Sequence, residues 1–181
     1  GTTWLKPVQS AVYAYLLAGT LLIGLRRWSL DQLGLNRKGI GLSLACGLAF
    51  VVGRTLVVIA TDLPWKLQPI TLERIVYDVA FYFGLVGLIE ELLFRGLFIG
   101  KMEPFFWKFA TNILTTIPFV LMHSFTSYST DQIIFLAFQT LPVSLAWCWL
   151  MQKSNSIWGS ILFHAAMDIP IIVGIFSTNL Y

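Results

Sequence analysis

Charge is scarce in this chain of 181 residues, of which only 12% are Asp, Glu, Lys or Arg. Soluble domains carry about 25% of such residues. Hydrophobic residues make up 57% of the chain, and the mean hydropathy is +0.76. This composition excludes an ordinary charged, water-covered surface. It favours a multi-pass integral membrane protein.

Cysteine is scarce as well, and Cys46 and Cys148 each lie in an apolar stretch. Two distant cysteines without a CxxC spacing exclude a disulfide framework and a zinc knuckle. The HExxH motif of zinc proteases is also absent. The net charge of +3 comes mostly from short loops, which indicates orientation in a membrane and no nucleic-acid partner.

Six apolar segments follow one another, each close to the length of about 17–25 residues that a helix needs to cross a bilayer. They cover residues 8–25, 39–60, 75–99, 105–125, 132–151 and 157–176. No internal repeat divides them. We therefore predict a single all-α domain over residues 1–181, a polytopic transmembrane helix bundle of about six spanning helices.

Basic residues are unevenly divided between the two sets of connecting loops. The loops after the first, third and fifth segments hold seven of them: Arg26, Arg27, Arg37, Lys38, Lys101, Lys108 and Lys153. The opposite side holds three: Lys6, Lys66 and Arg74. Because Lys and Arg favour the cytoplasmic side, we expect the first set of loops in the cytoplasm or stroma.

A few ionisable residues nevertheless lie inside the apolar segments. They are Arg54 in the second, Asp78, Glu90, Glu91 and Arg95 in the third, Lys108 and His123 in the fourth, and His164 and Asp168 in the sixth. On the mildest scale, a charge at the centre of a membrane helix costs about 2.5–3.5 kcal/mol, so such residues indicate a functional site by default. Three of them are not assigned to the site: Arg54 is interpreted as a snorkelling residue at lipid headgroups, Asp78 as a helix-end or interfacial residue, and Lys108 as a charge at the segment's start.

Helical spacing places the two adjacent glutamates on different faces of their helix. Glu91 and Arg95 are four residues apart, so they share a face and can form a buried ion pair. Glu90 points about 100° away from Glu91 and is left for another partner. A buried carboxylate of this kind suits the role of general base.

Three motifs now stand in order on three segments: Glu90-Glu91…Arg95, Phe119…His123 and His164…Asp168. They resemble the EExxxR, FxxxH and HxxxN/D motifs of the CPBP family, which contains type II CAAX prenyl proteases, bacteriocin-processing enzymes and abortive-infection proteins. The resemblance covers a motif core of about residues 75–176. All three motifs in order are far more specific than any one of them.

The resemblance implies a glutamate-dependent intramembrane endopeptidase without a cofactor. By position, Glu90 and His123 would activate a water, His164 and Asp168 would stabilise the oxyanion, and Glu91 with Arg95 would support the site. Its partners would be membrane lipid, a membrane-associated or transmembrane peptide or protein substrate, and a larger membrane complex. Position 168 is Asn in part of the family, and an ionised Asp cannot donate to an oxyanion. Asp168 is therefore either protonated or serves to orient His164.

Other functions remain open at this point. Glu90, His123 and His164 are acceptable zinc ligands, which would make the protein a metallopeptidase, although we expect no metal. The alternative to an enzyme is a non-catalytic membrane scaffold, immunity or assembly factor that binds a partner's transmembrane helix. A transporter or proton relay would also explain buried Glu, His and Asp, but no repeat or broken-helix pair supports it.

Overall fold

The computed structural model describes residues 28–60, 71–124 and 130–168, together with positions 11, 12, 15, 16, 18–20, 22–24 and 26. Eight of the eighteen residues of the first predicted segment, and the end of the sixth, residues 169–176, lie outside the described residues. The same holds for Lys6, Arg27 and Lys66, which entered the charge count.

The described residues are helical throughout, apart from connecting turns, and contain no strand. Helix α1 is Ile40–Ala60, α3 is Lys108–Ser124, α4 is Thr130–Ser154 and α5 is Trp158–Asp168. Between α1 and α3, residues 72–102 form one uninterrupted helical run, which we call α2. The prediction of an all-α fold is confirmed.

Helix α2 alternates between two helical forms. Its α-helical parts are Leu72–Asp78, Leu88–Glu91 and Ile99–Met102. Two wider π-helical stretches, Val79–Gly87 and Leu92–Phe98, lie between them. π-Helical turns occur frequently at functional sites. Here they flank the single α-helical turn that carries Glu90 and Glu91.

The helix ends follow from local backbone chemistry. Pro104 lacks a backbone N–H and lies in the turn that separates α2 from α3. Helix α4 ends at Ser154, and Asn155 next to it has φ 51°, the left-handed conformation that often terminates a helix. Gly39, with φ 74°, precedes the first residue of α1.

Helix packing brings the motif-bearing helices together. Helix α1 packs along α5, α3 packs along α4, and α5 also packs on the first π-helical stretch of α2. The segment before α1 is tied to the α4–α5 turn: Ile157 N–H donates to the Gly34 carbonyl at 2.9 Å, and Asn36 Nδ2 donates to the Asn155 carbonyl at 2.6 Å. Helix α5 is thus held from two sides.

Among the described residues, none of the helices combines the length and the apolar character that crossing a bilayer requires. The expectation of about six spanning helices stays a prediction.

The close approach of α1 and α5 depends on Gly47 and Gly159, and this generates a stability prediction. A Cβ on Gly47 would collide with the Gly159 backbone, whereas a Cβ on Gly53, also in α1, would meet nothing within 4 Å. We expect Gly47→Ala to lower the free energy of unfolding by about 1–3 kcal/mol, because the helices must move apart.

Gly53→Ala is the matched control. It should leave stability unchanged or raise it by up to about 1 kcal/mol, because Ala favours a helix more than Gly does. Thermal unfolding of the two purified variants measures both effects. Equal melting temperatures would contradict the close α1–α5 packing.

Candidate active site

The centre of the site is the Glu91 carboxylate, whose side chain is fully buried. Its Oε1 atom lies 3.0 Å from Arg95 Nη1 and 2.9 Å from His164 Nδ1. The ion pair expected from the i, i+4 spacing is therefore present. The second contact, to α5, joins Glu91 to a histidine that lies 73 residues away in the sequence.

Arg95 reaches further across the bundle. Its Nη2 donates to Ser144 Oγ on α4 at 2.7 Å, and Ser144 in turn donates to Thr116 Oγ1 on α3 at 3.1 Å. The guanidinium carbon lies 4.1 Å from the centre of the Phe119 ring. One buried arginine thus contacts α3 and α4 in addition to its own helix.

Glu90 faces both histidines of the chain. Its Oε2 atom lies 3.7 Å from His123 Nε2 and 3.6 Å from His164 Nε2. These distances are longer than direct hydrogen bonds. The three side chains come from α2, α3 and α5, so the motifs that are separate in the sequence converge at one point.

Both imidazole rings are held through Nδ1. His123 Nδ1 lies 2.9 Å from the Phe119 carbonyl, and His164 Nδ1 lies 2.9 Å from Glu91. Since a carbonyl and a carboxylate only accept hydrogen bonds, we assign a proton to each Nδ1. This leaves each Nε2 directed at Glu90.

The site is buried on one side and open on the other. The Glu90 and His164 side chains are only 5% and 3% exposed, whereas His123 and Asp168 are 28% and 34% exposed. Asp168 Oδ2 lies 3.4 Å from His164 Nε2. The more exposed side of the site is therefore the side of His123 and Asp168.

The same side chains have the chemistry of a metal site. One ligand atom each from Glu90, His123 and His164 can be chosen so that all three lie within 4.8 Å of one another. A carboxylate with two imidazoles is a ligand set that zinc accepts. The geometry alone is thus compatible with a water or with a metal ion between these residues.

Several residues of the site carried no signal in the sequence. Ser144 and Trp147 lie in a segment without charge, and Thr116 is one of many hydroxyl residues in apolar surroundings. The Trp147 ring stacks on the His164 ring, with centroids 5.3 Å apart and planes 24° apart. Only the packing of α4 against α3 and α5 reveals these contacts.

Comparison with known proteins adds one finding. A family model described as type II CAAX prenyl endopeptidase Rce1-like matches residues 72–170, which is more than half of the chain. That range contains all three motifs. No curated protein and no solved structure matches the chain significantly.

The buried ion pair generates a second prediction. Arg95→Ala removes the permanently charged partner of Glu91, and breaking a buried ion pair in this way costs about 3–5 kcal/mol. We expect this variant to accumulate poorly and to unfold at a clearly lower temperature. Arg37→Ala, the same change at an exposed position, is the control and should behave like the wild type. An abundant Arg95→Ala protein with an unchanged melting temperature would count against a structural role for the pair.

Proposed function

The chain belongs to the family of type II CAAX prenyl endopeptidase Rce1-like proteins, and on this basis we propose that it is a glutamate-dependent endopeptidase that works within or at the edge of a membrane. Glu90 is its general base. The observation that carries the proposal is the position of Glu90 Oε2 between the Nε2 atoms of His123 and His164.

The spacing of these atoms suits a hydrolytic water. Glu90 Oε2 and His123 Nε2 are 3.7 Å apart. A single water can therefore contact both atoms at ordinary hydrogen-bond lengths of about 2.7–3.0 Å. A general base must lie within such reach of the proton that it removes.

The reaction then proceeds in two proton transfers. Glu90 takes a proton from the water as its oxygen bonds to the scissile carbonyl carbon, and the carbonyl oxygen becomes an oxyanion. The intermediate collapses when the C–N bond breaks, and Glu90 returns the proton to the leaving amine. One carboxylate thus serves as base and then as acid.

His164 is the oxyanion-stabilising group of this scheme. Its Nδ1 proton is directed at Glu91, so Nε2 can donate to an oxyanion only when the ring carries a second proton. Glu90, Glu91 and Asp168 all lie within 3.6 Å of the ring nitrogens, and these carboxylates suit an imidazolium. Donors aimed at developing charge in a water-poor site contribute strongly to catalysis.

The distribution of polarity supports a membrane environment, which is also that of the family. Large apolar side chains are exposed along the outer faces of α1, α3 and α4, among them Leu48, Leu56, Ile117, Leu121 and Phe138. The interior holds buried charged and hydroxyl side chains, among them Glu91, Arg95 and Ser144. Extended apolar surfaces of this kind mark membrane or partner contact.

We propose that lipid covers these faces and that the helices form a polytopic bundle. The loops after the first, third and fifth segments would then face the cytoplasm or stroma. The substrate would be a membrane-associated or transmembrane peptide. An S-prenylated CAAX peptide is the first one to test.

A third prediction separates the enzyme from a scaffold. Glu90→Gln keeps the size of the side chain but cannot accept the proton, so cleavage should fall by about 10²–10⁴-fold. The measurement is cleavage of a panel of membrane-presented peptides, including an S-prenylated CAAX peptide, with protein levels and melting temperatures checked in parallel. His164→Ala should also lose activity.

Glu73→Gln, the same change at an exposed position of α2, is the matched control and should cleave at the wild-type rate. Full activity of both Glu90→Gln and His164→Ala would end the protease proposal. A wild-type protein that cleaves no peptide of the panel would also contradict it and favour a binding role.

A fourth prediction concerns metal. We expect activity to survive treatment with a chelator, because the proposed scheme obtains proton transfer and charge stabilisation from side chains alone. Cleavage is measured before and after chelation, together with the zinc content of the purified protein. Loss of activity that is restored by added zinc would replace the scheme with a metallopeptidase held by Glu90, His123 and His164.

A further inference from the structure

Helices α1 and α5 lie side by side and run in the same direction. Ser43 Oγ donates to the Ser156 carbonyl at 2.9 Å, and the same oxygen accepts from Gly159 N–H at 2.8 Å. Phe50 is seven residues after Ser43, and Phe163 is seven residues after Ser156. The rings of these two phenylalanines lie 5.6 Å apart. The two helices therefore keep a constant register.

One more turn in this register brings Arg54 on α1 to the level of Met167, next to Asp168 on α5. Arg54 is the only charged residue of α1, and Asp168 is the only acidic residue of α5. The Arg54 guanidinium and the Asp168 carboxylate attract each other electrostatically. Both side chains are partly buried, where such an attraction is screened less than at a water-exposed surface.

We propose that Arg54 is a positioning residue of the active site, which holds the Asp168 carboxylate against His164 Nε2. The inference rests on the proposed function, and it assigns Arg54 to the site where the sequence suggested a contact with lipid headgroups. His164 is then oriented from both sides of its ring by a carboxylate with an arginine partner. Glu91, paired with Arg95, lies 2.9 Å from Nδ1, and Asp168, for which Arg54 is the proposed partner, lies 3.4 Å from Nε2.

This arrangement also defines what Asp168 does. A carboxylate that faces a guanidinium acts as an acceptor, because arginine offers only donors. Asp168 therefore orients His164 and leaves donation to the oxyanion to the imidazole. Its 3.4 Å separation from Nε2 is longer than an ordinary hydrogen bond, so a proton on Nε2 stays available to a substrate oxygen.

Kinetics of Arg54 variants test the proposal. Arg54→Gln should lower kcat by about 10- to 100-fold, as expected for a misplaced catalytic group, with KM changed by less than about twofold. Arg54→Lys should recover part of kcat because it restores the charge. In an Asp168→Asn background, Arg54→Gln should have no further effect, since its target is gone. Arg37→Gln, at an exposed position, should match the wild type.

Each other kinetic outcome overturns the proposal. An unchanged kcat with a raised KM makes Arg54 a substrate-binding residue. A loss in Arg54→Gln that adds fully to the loss in Asp168→Asn means that the two residues act separately. An unchanged kcat and KM would mean that Arg54 has no role in the site and instead contacts lipid headgroups.

A spectroscopic measurement keeps this test independent of the proposed function. The chain has only two histidines, so a tag-free protein labelled with ¹⁵N-histidine gives ring signals from His123 and His164 alone. Arg54→Gln should shift the His164 ring signals and leave those of His123 in place. Unchanged His164 signals would refute the positioning role, whereas shifted signals in a protein that cleaves no peptide would refute only the peptidase function.

Discussion

The rest of this structure depends on the contacts of the Glu91 carboxylate. One of its oxygens accepts hydrogen bonds from Arg95 on its own helix and from His164 on α5, and no part of the side chain is exposed. An ionised carboxylate in such surroundings persists only with well-placed charged partners. Because the partners come from different helices, Glu91 fixes how α2 and α5 meet, and Arg95 extends the constraint to Ser144 on α4.

Local spacing accounts for what the sequence predicted well. Glu91 and Arg95, and His164 and Asp168, are each four residues apart, so helical geometry alone predicts that the members of each pair meet. The apolar segments also predicted α1 and α3 within a few residues of their observed ends. Each of these features lies within a single helix. The periodicity and the residue types of the sequence are therefore sufficient to predict it.

Contacts between helices could not be predicted in the same way. Helical spacing paired His164 with Asp168 alone, whereas the structure also places Glu91 on its Nδ1 and Glu90 near its Nε2. Ser144, Thr116 and Trp147 gave no signal, because an ordinary polar or aromatic residue becomes part of a site only through packing. The π-helical stretches were also unexpected, since they alter helical register without an evident change in apolar pattern.

The arrangement of charges accounts for the different roles proposed for the two adjacent glutamates. Glu91 is engaged by Arg95 and His164, so it is a poor acceptor for a further proton. Glu90, on the next residue, faces the histidine Nε2 atoms at more than hydrogen-bond distance, which leaves room for a reacting water. A single carboxylate could not satisfy both demands, because the contacts that hold the helices together would neutralise the proposed base. Dividing the two roles between consecutive residues of one helical turn would keep this base rigid and reactive.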